Sequence, residues 1–401
     1  MAHISYKEAI DKINSLNIIA NTKKVFLADS LNHILACNIK AFVNSPAYPT
    51  AAMDGYAIKL QDNNQKVFNI ADIAPAGSVT QVEVEQTTCI KAFTGSLMPK
   101  GSDTLIPIEF VEVKNNQIHI KQEVDIGYAV MKVGENYKKD EILIPKGTKI
   151  DFAQIGVMAS LNIVYVEVFT SPKVSICSTG SEILDLGESA VNHSQIRSSN
   201  HLTLEALTHK YGCESIMLGL IKDDKESILE AIKNGLNQSD IVVTTGGVSV
   251  GDYDFVKDIV KKELDAEVIF QGVRIKPGQH IIVAQKGNKF ICALPGFAYS
   301  STVCFLLFCL PIIFAFRGGS QKLPIVKAKA MNDYINQTIK TLFIASDLDY
   351  KDNIYTISNS SKRSGTSAIL TNLLGDVALA IVDEESSYKK GDFIDTILLR
   401  S

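Results

Sequence analysis

Four rhythms of hydrophobic and polar positions succeed one another along the chain. Near the start, Ala9, Ile10, Ile13 and Leu16 recur at helical intervals and predict a helix with one apolar face. From residue 53 to about residue 121 the apolar runs shorten. Residues 67–70, 82–84 and 118–120 read as brief strands cut by Gly, Pro and Asn. Residues 125–168 read as irregular, with Gly127, Gly134, Pro145 and Gly147, and suit a return to the first region.

The third rhythm is the most regular. A strand at 174–177 precedes a helical face at Leu204, Leu207 and Tyr211, then a strand at 214–220 and a helix at 226–236. Strand 241–243, a helix around Val256, Ile259 and Val260, strands 281–284 and 290–294, and the apolar run 303–316 complete it. Strands alternating with amphipathic helices predict a parallel sheet covered on both faces. After Arg317-Gly318-Gly319, short strands such as 354–357 and 378–382 predict a small β-barrel or sandwich of about 80 residues. The expected fold class is multi-domain α/β plus β: a three-layer α/β domain, a β-rich second domain and a small C-terminal β-barrel. The expected limits are 1–43 with 125–170 (domain I, discontinuous), 44–124 (domain II), 171–317 (domain III) and 318–401 (domain IV).

The run 303–316 has 14 residues and contains Pro311, whereas a membrane span needs about 20, so a buried core helix is expected and no membrane. The opening residues alternate polar and apolar where a secretory signal would carry an apolar core. The seven cysteines are scattered, with no C-x-x-C pair, which disfavours a disulfide framework or a structural zinc site. A reducing cytoplasm is the expected compartment. Lys and Arg total 40 against 44 Asp and Glu, a net charge of −4, so no nucleic-acid partner is expected.

In open α/β sheets, ligands bind beyond the carboxyl ends of the strands. Three glycine-bearing turns fall there: Ser178-Thr179-Gly180, Thr245-Gly246-Gly247 running on to Ser249 and Gly251, and Leu294-Pro295-Gly296. Glycines let backbone N–H groups approach an anion, although tight turns use the same residues. Acids gather beside them. Asp223 with Glu226 three later also fits a helix cap, and Asp252 or Asp254 fits another. Glu182 stands in an exposed turn. Together such carboxylates suit a hard cation such as Mg²⁺, and Lys276 suits a phosphate or simply the surface. Asp54 sits in the Asp54-Gly55 turn, and Phe93-Thr94-Gly95 forms a similar one.

In this order, SPAYPTAAMDGYAI, FTGSLMPKGSDTLIP, STGSEI, IRSSN, TTGGVSVGDYDF, IKPG and LPG resemble the MoeA-type molybdopterin molybdenumtransferases, a family that includes the C-terminal part of gephyrin. The resemblance runs the length of the chain. It implies that the α/β domain binds molybdopterin, and that an elongated homodimer forms its cleft from the second domain of one chain and the third of the other. It implies Mg²⁺-dependent cleavage of adenylylated molybdopterin, insertion of molybdate as substrate at the dithiolene, and release of AMP. A molybdopterin adenylyltransferase is the implied partner.

Carried over by motif, the catalytic set is Asp54, Thr94, Glu182, Asp223 and Asp254, with Glu182, Asp223 and Asp254 as metal ligands. Ser178, Thr179, Gly180, Gly246, Gly247, Ser249, Gly251, Lys276, Pro295 and Gly296 form the substrate-binding set. The chain departs from the family's pattern in its loops. Gln279 and His280 stand where K-P-G-K-P has its second lysine and last proline, and Phe297-Ala298 replaces the last two residues of L-P-G-N-P. The acid of a third loop falls on Asp140 or Glu141. These changes leave two alternatives: a divergent binding or scaffold protein, or a pterin-phosphate or nucleotide hydrolase on the same fold.

Overall fold

The computed structural model describes residues 3–61, 64–78, 81–247, 255–319, 321–363 and 368–399. Its chain divides into two compact units. One comprises Cys37–Lys146 and Asp151–Val164; the other comprises Met1–Ala36, Gly147–Ile150 and Tyr165–Ser401.

The smaller unit is built on a six-stranded sheet of β1 (Gly55–Ile58), β2 (Val67–Ala74), β3 (Thr88–Ala92), β4 (Thr104–Pro107), β5 (Val111–Lys114) and β6 (Gln117–Ile120). The order is β4-β1-β3-β2-β6-β5, and only β2 and β3 run parallel. Tyr56, Ile58, Phe68, Cys89, Ile106 and Ile118 form its core. Gly55 is required there because a Cβ would stand 2.4 Å from the Ile106 carbonyl oxygen. Residues 82–84 make no strand, contrary to their pattern. Val84 is buried but donates its N–H to Lys100 O at 2.8 Å, so a turn takes the bond that a ladder would need. The stretch read as irregular holds α2 (Phe152–Ser160), started by a capping box of Asp151 and Gln154.

In the larger unit, α1 (Tyr6–Asn14) begins at Ser5 with a Ser5–Glu8 capping box and buries Ala9 and Ile13. The main sheet consists of β7 (Lys173–Thr179), β8 (Glu214–Ile221), β9 (Ile241–Thr245), β10 (Glu267–Gln271), β11 (Ile282–Lys286) and β12 (Lys289–Leu294), in the order β8-β7-β9-β12-β11-β10. The first four strands are parallel; β11 and β10 are antiparallel to their neighbours. A parallel sheet was the sequence expectation, and a tight turn explains the antiparallel pair at its edge. Only Gly287 and Asn288 separate β11 from β12 in their pairing, and a two-residue connection cannot make a parallel crossover.

Helices α3 (Asn200–Lys210), α4 (Lys225–Gln238), α5 (Phe255–Asp258, extended by the π-turn Ile259–Glu263) and α6 (Ala298–Phe316) cover the sheet. Alternate strand residues serve opposite faces. Ile241, Val243, Phe290, Cys292 and Leu294 pack with α6, while Val242, Ile291 and Ala293 pack with α4 and α5. At 19 residues, α6 is longer than the run that predicted it, so length alone does not separate it from a membrane span. Its burial does: 89% of its most apolar stretch lies inside the fold.

Five further strands close on themselves: β13 (Ile325–Ala330), β14 (Thr341–Lys351), β15 (Ile354–Ser358), β16 (Val377–Val382) and β17 (Phe393–Leu398). The order β14-β15-β13-β17-β16 returns to β14, so of the barrel and sandwich that the C-terminal pattern allows the chain forms the barrel.

Candidate functional site

The carboxyl ends of β7, β9 and β12 meet in one cleft of about 620 Å³. Their loops are tied by hydrogen bonds. Ser178 Oγ and Thr245 Oγ1 share one at 2.9 Å, Gly246 N donates to Leu294 O at 3.1 Å, and Thr179 Oγ1 donates to Thr245 O at 3.4 Å. Asn200, at the start of α3, donates through Nδ2 to Gly296 O at 2.7 Å and to Thr245 Oγ1 at 3.3 Å. Gly246 has φ +94°, and a Cβ there would lie 2.5 Å from Thr179 O. No other residue type fits without moving the β7 turn.

The cleft is lined by Ser178, Thr179, Gly180, Glu182, Asp223, Gly246, Gly247, Pro295 and Gly296. All of these were expected site residues. Ser249, Gly251 and Asp254 lie outside the described residues.

The two described acids differ in their surroundings. The α4 cap is Asp224, not Asp223: Asp224 accepts from Ser227 N at 2.8 Å and from Ser227 Oγ at 2.8 Å. Asp223 is therefore free of the capping role its spacing suggested. Its Oδ1 is buried with no hydrogen-bond partner among the described residues. Burial first, then the charges of Glu182 and Asp224, push its carboxyl above the ordinary value. The Glu182 carboxylate folds over Gly180, where a Cβ would stand 3.0 Å from Oε2. An orphaned buried carboxylate oxygen facing a second acid suits a hard cation, which would supply the missing partner and relieve the repulsion. Among the described residues, no group of three metal-ligating side chains converges.

One cleft residue escaped as a site residue: Asn200 belongs to the quoted IRSSN segment but signals nothing by spacing. His280 and Phe297, marked in the sequence only as departures from the family's loops, also line the cleft. Phe297 caps α6 without a side-chain hydrogen bond and is 62% exposed, so the position offers an apolar ring where an amide could have capped.

Lys276 lies elsewhere. It lines a separate cavity of about 370 Å³, beside Pro277, Tyr299, Asn359, Ser360, Lys362 and Arg363. Its neighbour Lys362 pairs with Asp347 at 2.6 Å.

In the smaller unit, Asp54 and Thr94 meet directly. Asp54 Oδ1 accepts from Thr94 N and from Thr94 Oγ1, each at 2.8 Å. These bonds, with Lys91 contributing, hold the Asp54 carboxyl below its ordinary value. Glu141 Oε2 accepts from Lys138 N at 3.0 Å and closes its own turn.

A glycine-lined cleft at the ends of parallel strands, in a chain that also carries a β-rich module and a closed barrel, defines a ligand-binding α/β protein of several parts. Residues 4–162 match the MoeA N-terminal region (domains I and II), and residues 175–315 match a probable molybdopterin-binding domain. The chain is 30% identical to a molybdopterin molybdenumtransferase of Staphylococcus aureus, over 99% of this chain and 96% of the relative. A molybdopterin molybdenumtransferase of Staphylococcus epidermidis is 29% identical, with the same coverage. The crystal structure of a molybdopterin biosynthesis MoeA protein from Pyrococcus horikoshii OT3 superposes with a TM-score of 0.84 at 28% identity, covering 99% of this chain and 100% of that one. The chain belongs to the molybdopterin molybdenumtransferase family, transferases of molybdenum cofactor biosynthesis.

Proposed function

We propose that this chain takes adenylylated molybdopterin, cleaves its pyrophosphate with the help of Mg²⁺, accepts molybdate at the dithiolene and releases AMP. The observation that carries the reading is the convergence of three glycine turns with Glu182 and Asp223 in one cleft. Backbone N–H groups of the Gly180, Gly246-Gly247 and Gly296 turns, apart from the Gly246 N–H that Leu294 O takes, suit the phosphates and orient the bridging oxygen. Asn200 keeps the β9 and β12 turns at a fixed spacing, so the donors are in place before the ligand arrives.

Glu182 and Asp223, with Asp254, would hold the cation, which when bound neutralises charge on the pyrophosphate. The separate cavity holding Lys276, Arg363, Ser360 and Asn359 offers donors of the kind a molybdate oxyanion needs. Asp54, anchored by Thr94, is the remaining acid of the set. The reading places it in the cleft of a partner copy in a homodimer. The proposed compartment is the cytoplasm, and a molybdopterin adenylyltransferase supplies the substrate.

AMP release from adenylylated molybdopterin, measured with Mg²⁺ and molybdate, tests the reading. Glu182→Gln should abolish release while the protein stays folded. Normal release from that variant would remove Glu182 from the mechanism, and no release from the unaltered protein would overturn the function.

A further inference from the structure

His280 comes from the stretch between Ile275–Lys276 and β11 and lines the same cleft as Glu182, Asp223, Gly246 and Phe297. Its Nε2 lies 2.8 Å from Gln279 Nε2. An amide nitrogen only donates, so the imidazole accepts at Nε2 and is neutral in this arrangement. A half-turn of the Gln279 amide would present Oε1 instead and accept from an imidazolium. Gln279 can therefore partner either protonation state. A lysine at residue 279 could not, because it would repel the charged ring.

We propose that the Gln279–His280 pair is a proton-dependent anion contact of the cleft, so that a pyrophosphate-bearing ligand binds together with a proton taken up by His280. The inference rests on the proposed function and assigns to this pair the charge that a fixed lysine would otherwise supply.

The groups around the ring set the direction of the coupling. The edge of His3 meets it, with centroids 5.8 Å apart and planes at 86°. His3 and Lys340 both disfavour its charge, and burial is the largest cause; together they hold the free imidazole below its ordinary value. Glu182 and Asp223 share the cleft, as does Arg197, whose guanidinium is spent on the carbonyls of Asp185 and Glu188. Among the described residues, the free cleft thus holds the acids Glu182 and Asp223 and an imidazole whose charge is disfavoured. An anion entering it favours the imidazolium, raises the pKa of His280 and draws a proton from solution. Binding is then tighter below the raised value and weakens as the pH climbs through it.

Diadenosine diphosphate is a suitable probe, because its bridging phosphates do not titrate near neutrality. The full chain would be titrated calorimetrically at fixed Mg²⁺, at about pH 6 and about pH 8, in buffers of different ionisation enthalpy. The expected result is uptake of a fraction of a proton at the lower pH, with affinity several-fold tighter there, up to about tenfold for each unit the pKa rises. His280→Asn should lose both effects. Gln279→Lys should bind with little pH dependence and leave His280 neutral.

Nuclear magnetic resonance titration of the unaltered protein needs no variant to fold: the probe should move the His280 ring pKa upward. Binding without proton uptake, or an unchanged His280 pKa, overturns this inference and leaves the proposed function standing. Absence of binding at both pH values overturns this inference, while AMP release decides the proposed function separately.

Discussion

At the scale of single residues, Asp223 and Asp224 divide labour that their adjacency hides. Asp224 is spent on the α4 cap, while Asp223 keeps a buried oxygen with no hydrogen-bond partner among the described residues. Asp223 has a raised folded pKa, so the folded state binds more protons than the unfolded state. Its contribution to stability falls as pH rises from the ordinary carboxylate value through the raised one. A divalent cation reverses that preference. Mg²⁺ binding should therefore release protons and weaken as pH falls through that window, which calorimetry in two buffers would detect. Asp223→Asn should stabilise the apoprotein by about 0.5–1 kcal/mol in urea unfolding. It should also lower metal-dependent AMP release by about a hundredfold or more, a loss of several kcal/mol of transition-state stabilisation. Gly246→Ala is expected to cost about 1–3 kcal/mol and to disable the cleft, because both φ and the Thr179 carbonyl oppose a Cβ. The sequence marked Asp223 as a possible cap because Glu226 follows at capping-box spacing. The cap instead forms one residue later, where Ser227 offers its N–H and its hydroxyl. Backbone donors carry no mark in the sequence.

At the scale of elements, Asp224→Ala should remove about 1 kcal/mol of stability and leave cation binding intact, the reverse of the Asp223 result. Measuring both variants by urea unfolding and Mg²⁺ titration separates the two assignments. Elements with clean periodicity were legible: β7, β9 and α4 lie where their patterns placed them. Others were not. Residues 82–84 alternate like a strand, yet their backbone partner is the turn at Lys100, a choice made by tertiary contact. Helix α2 was hidden because its residues are apolar around most of the helix and Gly156 interrupts them, so no single face stands out. The reversal of β11 was available in the Gly287-Asn288 turn, which the helix–strand alternation obscured.

At the scale of the whole molecule, the site was legible where chain order and strand ends coincide, as in the three glycine turns. It was illegible where residues of similar motif rank part company, as Lys276 does by lining a cavity of its own. The proposed homodimer predicts complementation: Asp54→Asn and Glu182→Gln, each inactive alone, should regain part of the activity when co-refolded, and sedimentation should show a dimer. A stable, active monomer would refute this. The burial of α6 has a consequence for synthesis. One set of its neighbours, including Val174, Ile241 and Phe290, leaves the ribosome before it, but another, including Phe343, Leu379 and Ile397, comes after. Tyr299 marks the later set: its hydroxyl donates to Phe343 O at 3.1 Å and accepts from Ala345 N at 3.0 Å. At roughly 5–20 residues per second, the remaining chain through the barrel takes on the order of ten seconds to appear. During that interval a helix as oily as a membrane anchor stands with one flank open. Nascent chains stalled when α6 has just cleared the ribosome should therefore be clients of the holdase machinery, and released full-length chains should not.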